Sequence, residues 1–213
     1  FQEVVEIDSE LPKLMRSVFQ EQPEVGHVYL GSKRHMLERI FNDENEPFWR
    51  SAKQIELGVI STKDFSPYIQ ERFGATGKRV SGEAVAAVLD ITAGHPYATQ
   101  ELCYFLWELT RPGRRASDEL VEDALDAVLR SEHAHFSLVW ERASAAQRLL
   151  LQALARQPGR PLSADYRHRH DLPGTSTVQR ALEALTRNEL VGRRDGEYRI
   201  VEPFLADWLR AQL

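Results

Sequence analysis

The sequence predicts a chain in three parts: a short α/β segment, an all-α bundle and a C-terminal winged helix-turn-helix. Three observations carry this. Two short β-rich runs ending in glycine, HVYLG at 27–31 and QIELG at 54–58, flank a helical stretch. Residues 61–142 show helical periodicity throughout. Residues 144–213 combine three or more helical patterns with one Asp-Gly hairpin. The expected boundaries are 1–60, 61–142 and 143–213.

The elements follow in order. ELPKLMRSVFQE at 10–21 places Leu11, Leu14, Met15, Val18 and Phe19 on one helical face. The run at 27–31, a helix from about Met36 to Asn42 and the run at 54–58 give strand, helix, strand, the pattern of a parallel crossover. Ser61, Thr62 and Asp64 are available to cap a helix carrying Phe65, Ile69 and Phe73. Ser81 starts the next, with Val85, Val88 and Leu89 on one face. GHP at 94–96 breaks it, and Tyr97–Leu109 resumes. Ser117 is the expected cap of a helix through Leu129.

From residue 144 the grammar changes. Ser144 with Gln147 has the spacing of a capping box. A turn at PGRP and a short helix near Ser163–His170 come next, then a helix expected to be capped by Ser176. LVGRR, Asp195-Gly196 and EYRIV form a hairpin, and Pro203 opens a final amphipathic helix. Three helices and a two-stranded hairpin make the winged helix.

Composition sets limits. The 213 residues are 42% hydrophobic and 28% charged, as in globular proteins, and no apolar run approaches a membrane span. Cys103, alone and in an apolar setting, reads as a core residue, and a reducing cytoplasm is the default expectation. The net charge of −5 is uneven: residues 1–143 carry 16 Lys/Arg against 24 Asp/Glu, whereas residues 144–213 carry 11 Arg against 8 Asp/Glu. Only the C-terminal part has the charge of a nucleic-acid surface. His133/His135 and His168/His170 are spaced two apart, which splits each pair between helix faces, and no metal site is expected.

Five stretches in order resemble the archaeal-type P-loop ATPases of the AAA+/STAND superfamily: FQEV at 1–4, YLGSKRHM at 29–36, PFWRSAKQIELG at 47–58, GHPYATQEL at 94–102 and VEPFLADWLR at 201–210. The resemblance implies that residues 1–60 are a remnant of the P-loop NTPase α/β core and 61–142 its helical lid. It implies a nucleotide-dependent switch using ATP and Mg²⁺ in a full-length parent. The Gly-rich phosphate loop and the Walker B acids would lie before Phe1, so this chain alone should hydrolyse nothing and bind no cofactor tightly. A missing N-terminal P-loop half is then the first expected partner. Without it, the strands at 27–31 and 54–58 would lose a common neighbour and expose apolar faces.

The resemblance further makes Ser32 and Arg34 sensor residues near the γ-phosphate; otherwise Ser32 caps a helix and Arg34 is a solvated charge. It makes Gly94, His95 and Pro96 the lid's nucleotide contact; otherwise they are a helix–helix turn. Arg50 reads better as an ordinary surface residue than as a finger to a neighbouring subunit. In the winged helix, Gln179, Arg180 and Arg187 on the second helix of the motif, with Arg193 and Arg194 in the wing, are candidates for bases and phosphates. Glu183, Asp195 and Glu197 oppose this. The alternative function is therefore a DNA- or protein-binding regulatory module, with no membrane partner and the oligomeric state open.

Overall fold

The computed structural model describes residues 8, 10–31, 34–55 and 57–212. The chain divides into two compact units, Phe1–Leu57 and Gly58–Leu213.

In the first unit, α1 (Leu11–Gln20) and α2 (Arg34–Asn42) enclose a small aromatic core. Ile40, Phe41 and Phe48 are buried, with Met15, Phe19, Tyr29 and Leu37 packed against them. The Phe48 ring lies 5.4 Å from Tyr29 and 6.0 Å from Phe41. Burial of one such ring contributes about 1.5–3 kcal/mol.

The expected strands at 27–31 and 54–58 are a correction: among their described residues neither joins a ladder. An apolar run supplies strand propensity, but a strand exists only where a second segment takes its backbone donors and acceptors. The outward side chains of both runs face solvent, with Val28 82%, Leu30 74%, Ile55 76% and Leu57 87% exposed.

The second unit is helical, apart from two small sheets. It opens with α3 (Thr62–Ala75), capped by Ser61, whose Oγ accepts from the Asp64 N–H at 3.3 Å. Next come β1 (Arg79–Val80), α4 (Gly82–Thr92), α5 (Pro96–Leu109), β2 (Arg115–Ala116), α6 (Glu119–Ser131) and α7 (His133–Arg142). Strands β1 and β2 pair in parallel through two residues each. Ser81 caps α4 as expected, its Oγ 3.0 Å from the Ala84 N–H. Ser117 does not cap α6: the N-cap is Asp118, one residue on, because the chain is still leaving β2 at Ala116.

The remainder is α8 (Ala145–Arg156), α9 (Ala164–Arg169), α10 (Thr175–Arg187), β3 (Val191–Arg194), β4 (Glu197–Ile200) and α11 (Pro203–Ala211). The capping box at α8 is complete: the Ser144 N–H donates to Gln147 Oε1 at 2.7 Å, and the Gln147 N–H to Ser144 Oγ at 3.4 Å. The expected cap of α10 is corrected, since Gly174 is the N-cap and Ser176 is already inside the helix. The Leu172–Pro173 approach delivers the chain in extended form at Gly174, two residues earlier than the serine pattern suggests.

One continuous core, from Phe65 to Leu209, joins the bundle to the C-terminal helices. α11 packs mainly on α8 and also touches α4, α6 and α7. Its Phe204 is completely buried. Trp208 lies 6.0 Å from Phe136 by ring centroids and donates its Nε1 hydrogen to His133 Nδ1 at 3.1 Å. Among the described residues no helix is long and apolar enough to cross a membrane.

Candidate nucleic-acid interface

The C-terminal helices and hairpin are joined by a single-residue β-bridge that the sequence does not announce. Gly159, alone between α8 and α9, bridges antiparallel to Tyr198 of β4 through bonds of 3.0 and 2.7 Å. Glycine is required there by close approach: a Cβ on Gly159 would stand 2.4 Å from the Tyr166 ring. The Tyr166 hydroxyl in turn donates to the Gln157 carbonyl at 2.5 Å, and burial pushes it up to about 12. This contact ties α9 to the C-terminal end of α8, two residues before the bridge. The fold thus runs helix, bridge, helix, helix, hairpin.

The β3–β4 hairpin pairs Val191 with Ile200 and Arg194 with Glu197. Its turn residues Asp195 and Gly196 have φ of 54° and 81°. Positive φ at both central positions is the turn geometry whose twist matches paired antiparallel strands. Val191 and Ile200 anchor the hairpin in the core, while Arg193 and Arg194 are exposed. The Arg193 guanidinium stands 5.7 Å from the Tyr198 ring centroid, and Arg194 Nε lies 3.8 Å from Asp195. Such an exposed pair contributes little and does not hold Arg194 away from another anion.

The structure adds a cation that the sequence reading missed. Arg160 lies beside the turn, its Nη2 3.8 Å from where a Cβ of Gly196 would be. The Gly159–Tyr198 bridge, a non-local contact one residue before Arg160, helps to bring it there.

In α10, Val178, Ala181, Leu182 and Leu185 face the core. That periodicity turns Gln179, Arg180, Glu183 and Arg187 to solvent. Gln179 Nε2 donates to Glu183 Oε1 at 3.0 Å, and Arg180 Nε donates to the Ser176 carbonyl at 3.3 Å. The terminal guanidinium nitrogens of Arg180 have no hydrogen-bond partner among the described residues. Among the described residues no side chain caps the start of α10, so the N–H groups of Thr175 and Ser176 are available to an anion. Just past α9, the His170 imidazole lies tilted with its centroid 4.3 Å from that of Tyr166, and burial together with the Arg169 and Arg156 charges lowers its pKa.

The other predicted sites fall elsewhere. Ser32 lies outside the described residues, and Arg34 begins α2 with its side chain likewise outside them. Gly94, His95 and Pro96 form the turn between α4 and α5. Ala93 and Gly94 are both left-handed, at φ of 49° and 72°. His95 is the N-cap of α5, its Nδ1 accepting from the Ala98 N–H at 3.3 Å, and Pro96 is the first residue of the helix. Arg50, in the first unit, stacks 5.0 Å from the ring of Trp49.

Beside that turn, sequence reasoning missed a group of three carboxylates: Glu101 on α5, Glu132 between α6 and α7, and Glu202 capping α11. Burial, then the Glu132 and Glu202 charges, push the Glu101 carboxyl up to about 7, while the Tyr97 hydroxyl pulls the other way. Burial raises Glu202 as well; its bond from the Phe204 N–H and the nearby His95 and His135 oppose this. Among the described residues, Glu101 Oε2 is buried without a hydrogen-bond partner. No sequence pattern marks the group, because the three residues are far apart in the chain.

Glu101 is raised above its ordinary 4.5, so the folded chain holds a proton that the unfolded chain has released between about 4.5 and 7. Its favourable contribution is complete below 4.5 and is lost as the pH rises through 7. We expect the thermal midpoint of Glu101→Gln to exceed that of the wild type at pH 8 and to converge with it near pH 5. Each kcal/mol relieved raises the midpoint by about 2–4 °C. Equal midpoints for the two proteins across that range would remove Glu101 from this account.

Residues 134–211 match the model of a family described as a probable winged helix domain. The match begins within α7 and contains α8 to α11 with the hairpin. It reaches none of the stretches at 1–4, 29–36, 47–58 or 94–102 that resemble P-loop ATPases. A search of curated proteins gave no significant match to the chain.

Proposed function

We propose that the winged helix is a regulatory binding module that contacts the phosphate backbone of duplex DNA through α10 and the wing. One observation carries this reading. The exposed arginines of the domain include Arg180 and Arg187 on α10 and Arg193 and Arg194 in the wing. These are the helix that such folds lay against the major groove and the hairpin beside it. The uncapped start of α10 adds N–H donors suited to phosphate. Glu183, Asp195 and Glu197 reduce the net positive field, so the affinity expected is that of non-specific binding, about 10⁻⁴–10⁻⁶ M at physiological salt.

The test is fluorescence anisotropy of a labelled duplex of random sequence at 50 mM salt, using the whole chain. The wild type should bind, and Arg180→Ala with Arg187→Ala should weaken binding at least fivefold. No binding by the wild type at that salt would contradict the reading and leave protein recognition as the use of this surface.

A second reading has one feature in its favour: the left-handed pair Ala93–Gly94 interrupts two helices at the turn that resembles a lid motif. Under it, the chain is the C-terminal part of a nucleotide-driven switch. Gly94, His95 and Pro96 meet the nucleotide, Ser32 and Arg34 sense its phosphate, and ATP with Mg²⁺ requires an N-terminal P-loop half. It ranks second because the family match covers 134–211 and does not reach that turn. The whole parent failing to bind ATP, or binding it equally well after Arg34→Ala, would remove it.

A further inference from the structure

A cavity of about 320 Å³ lies between α3 and α5, on the flank of the helical bundle and not on the winged-helix surface. Its floor is apolar: Phe65, Ile69 and Phe73 are buried. Its lips are aromatic, with Tyr68 from α3 and Tyr104 from α5, both exposed. Cys103 also lines it, but burial pushes the thiol up to about 12, so it stays protonated and is no nucleophile.

The end wall is set in place before any ligand arrives. Trp107 Nε1 donates to Thr76 Oγ1 at 2.8 Å. Lys78, itself buried, holds its ammonium 3.6 Å from the Trp107 ring centroid and donates to the Trp107 carbonyl at 2.6 Å. A wall fixed in this way costs a ligand little ordering entropy.

The rim supplies the charge. Arg72 stacks on Tyr68, 5.1 Å from its centroid, and has no carboxylate partner among the described residues. An unpaired guanidinium at the mouth of an aromatic cavity is complementary to a molecule with a flat apolar body and one carboxylate, which arginine grips through two parallel hydrogen bonds. The volume is at the small end of the range for ligand sites, about 300–1,000 Å³.

We propose that the α3–α5 cavity binds a small aromatic carboxylate, its ring on the floor between Tyr68, Tyr104 and Trp107 and its carboxylate on Arg72. The geometry makes this a ligand site of the helical bundle that is independent of the winged-helix surface.

The test is calorimetric titration of the whole chain with 2-naphthoate and with its neutral isostere, 2-naphthamide. The acid should bind at least fivefold more tightly than the amide. Arg72→Met should bring the two to equal affinity, and Gln100→Trp, an exposed position lining the cavity, should abolish binding of both. Thermal midpoints of the two variants check that they fold. No heat of binding at millimolar 2-naphthoate, equal affinity for acid and amide in the wild type, or binding that survives Gln100→Trp in a folded protein would each overturn the proposal.

Discussion

Phe204→Ala should cost about 3–5 kcal/mol and lower the unfolding midpoint of the bundle and the winged helix together. The ring is wholly buried in α11, which rests on α8 and reaches α4, α6 and α7. Removing a phenyl ring from such a site loses its transfer free energy, and a cavity is left that packed helices only partly fill. Glu202 caps the same helix through a 3.2 Å bond from the Phe204 N–H, so the backbone is held while the side chain is gone. The loss is a large fraction of the stability of an ordinary domain, about 5–15 kcal/mol. Because one core runs from Phe65 to Leu209, near-UV and far-UV signals should shift to a single lower midpoint. Two separate transitions, with only the later one moved, would mean that the bundle and the winged helix do not share a core.

Gly94→Ala should be nearly as damaging, for a reason that lies in the backbone. Gly94 has φ of 72°, which alone costs an L-residue about 1–2 kcal/mol. The added Cβ would also stand 2.3 Å from the Ile60 carbonyl oxygen. That oxygen belongs to main chain, so relief requires moving the segment whose Ile60 N–H donates to the Gly94 carbonyl at 2.9 Å. With that bond weakened, the total should be on the order of 3 kcal/mol. Gly77 supplies the control: it has the same φ of 72°, and a Cβ there would meet nothing within 4 Å, so Gly77→Ala should show the conformational cost alone. Equal losses at the two glycines, by chemical denaturation, would refute the steric part.

These two residues also mark what sequence reading reaches. Ser61, Ser81 and Ser144 with Gln147 were legible as caps because the bond each makes spans only three residues. The Asp195–Gly196 turn was legible for the same reason: its conformation is written in its own two residues. Ser117 and Ser176 misled because neighbouring geometry, β2 in one case and Gly174 in the other, set where the helix starts. The runs at 27–31 and 54–58 show the limit more sharply. Alternating apolar residues advertise a strand, yet pairing depends on a partner segment that the pattern does not contain. The Gly159–Tyr198 bridge, the placement of Arg160 at the wing and the Glu101–Glu132–Glu202 group are invisible for the same physical reason. Each joins residues distant in sequence, and none has a local signature. On the candidate interface, Gln179, Arg180, Arg187, Arg193 and Arg194 were legible because helical and hairpin periodicity already place them outside.

The proposed function requires this outward surface to engage a polyanion through its arginines. Its most direct test is the salt dependence of duplex binding by the whole chain. Each phosphate neutralised contributes about −0.9 to the slope of log Kobs against log salt. Contacts from Arg180, Arg187, Arg193 and Arg194 predict a slope of about −3 to −4, and Arg193→Ala with Arg194→Ala should reduce its magnitude by about 2. A slope near zero, or one unchanged in the double variant, would contradict the claim.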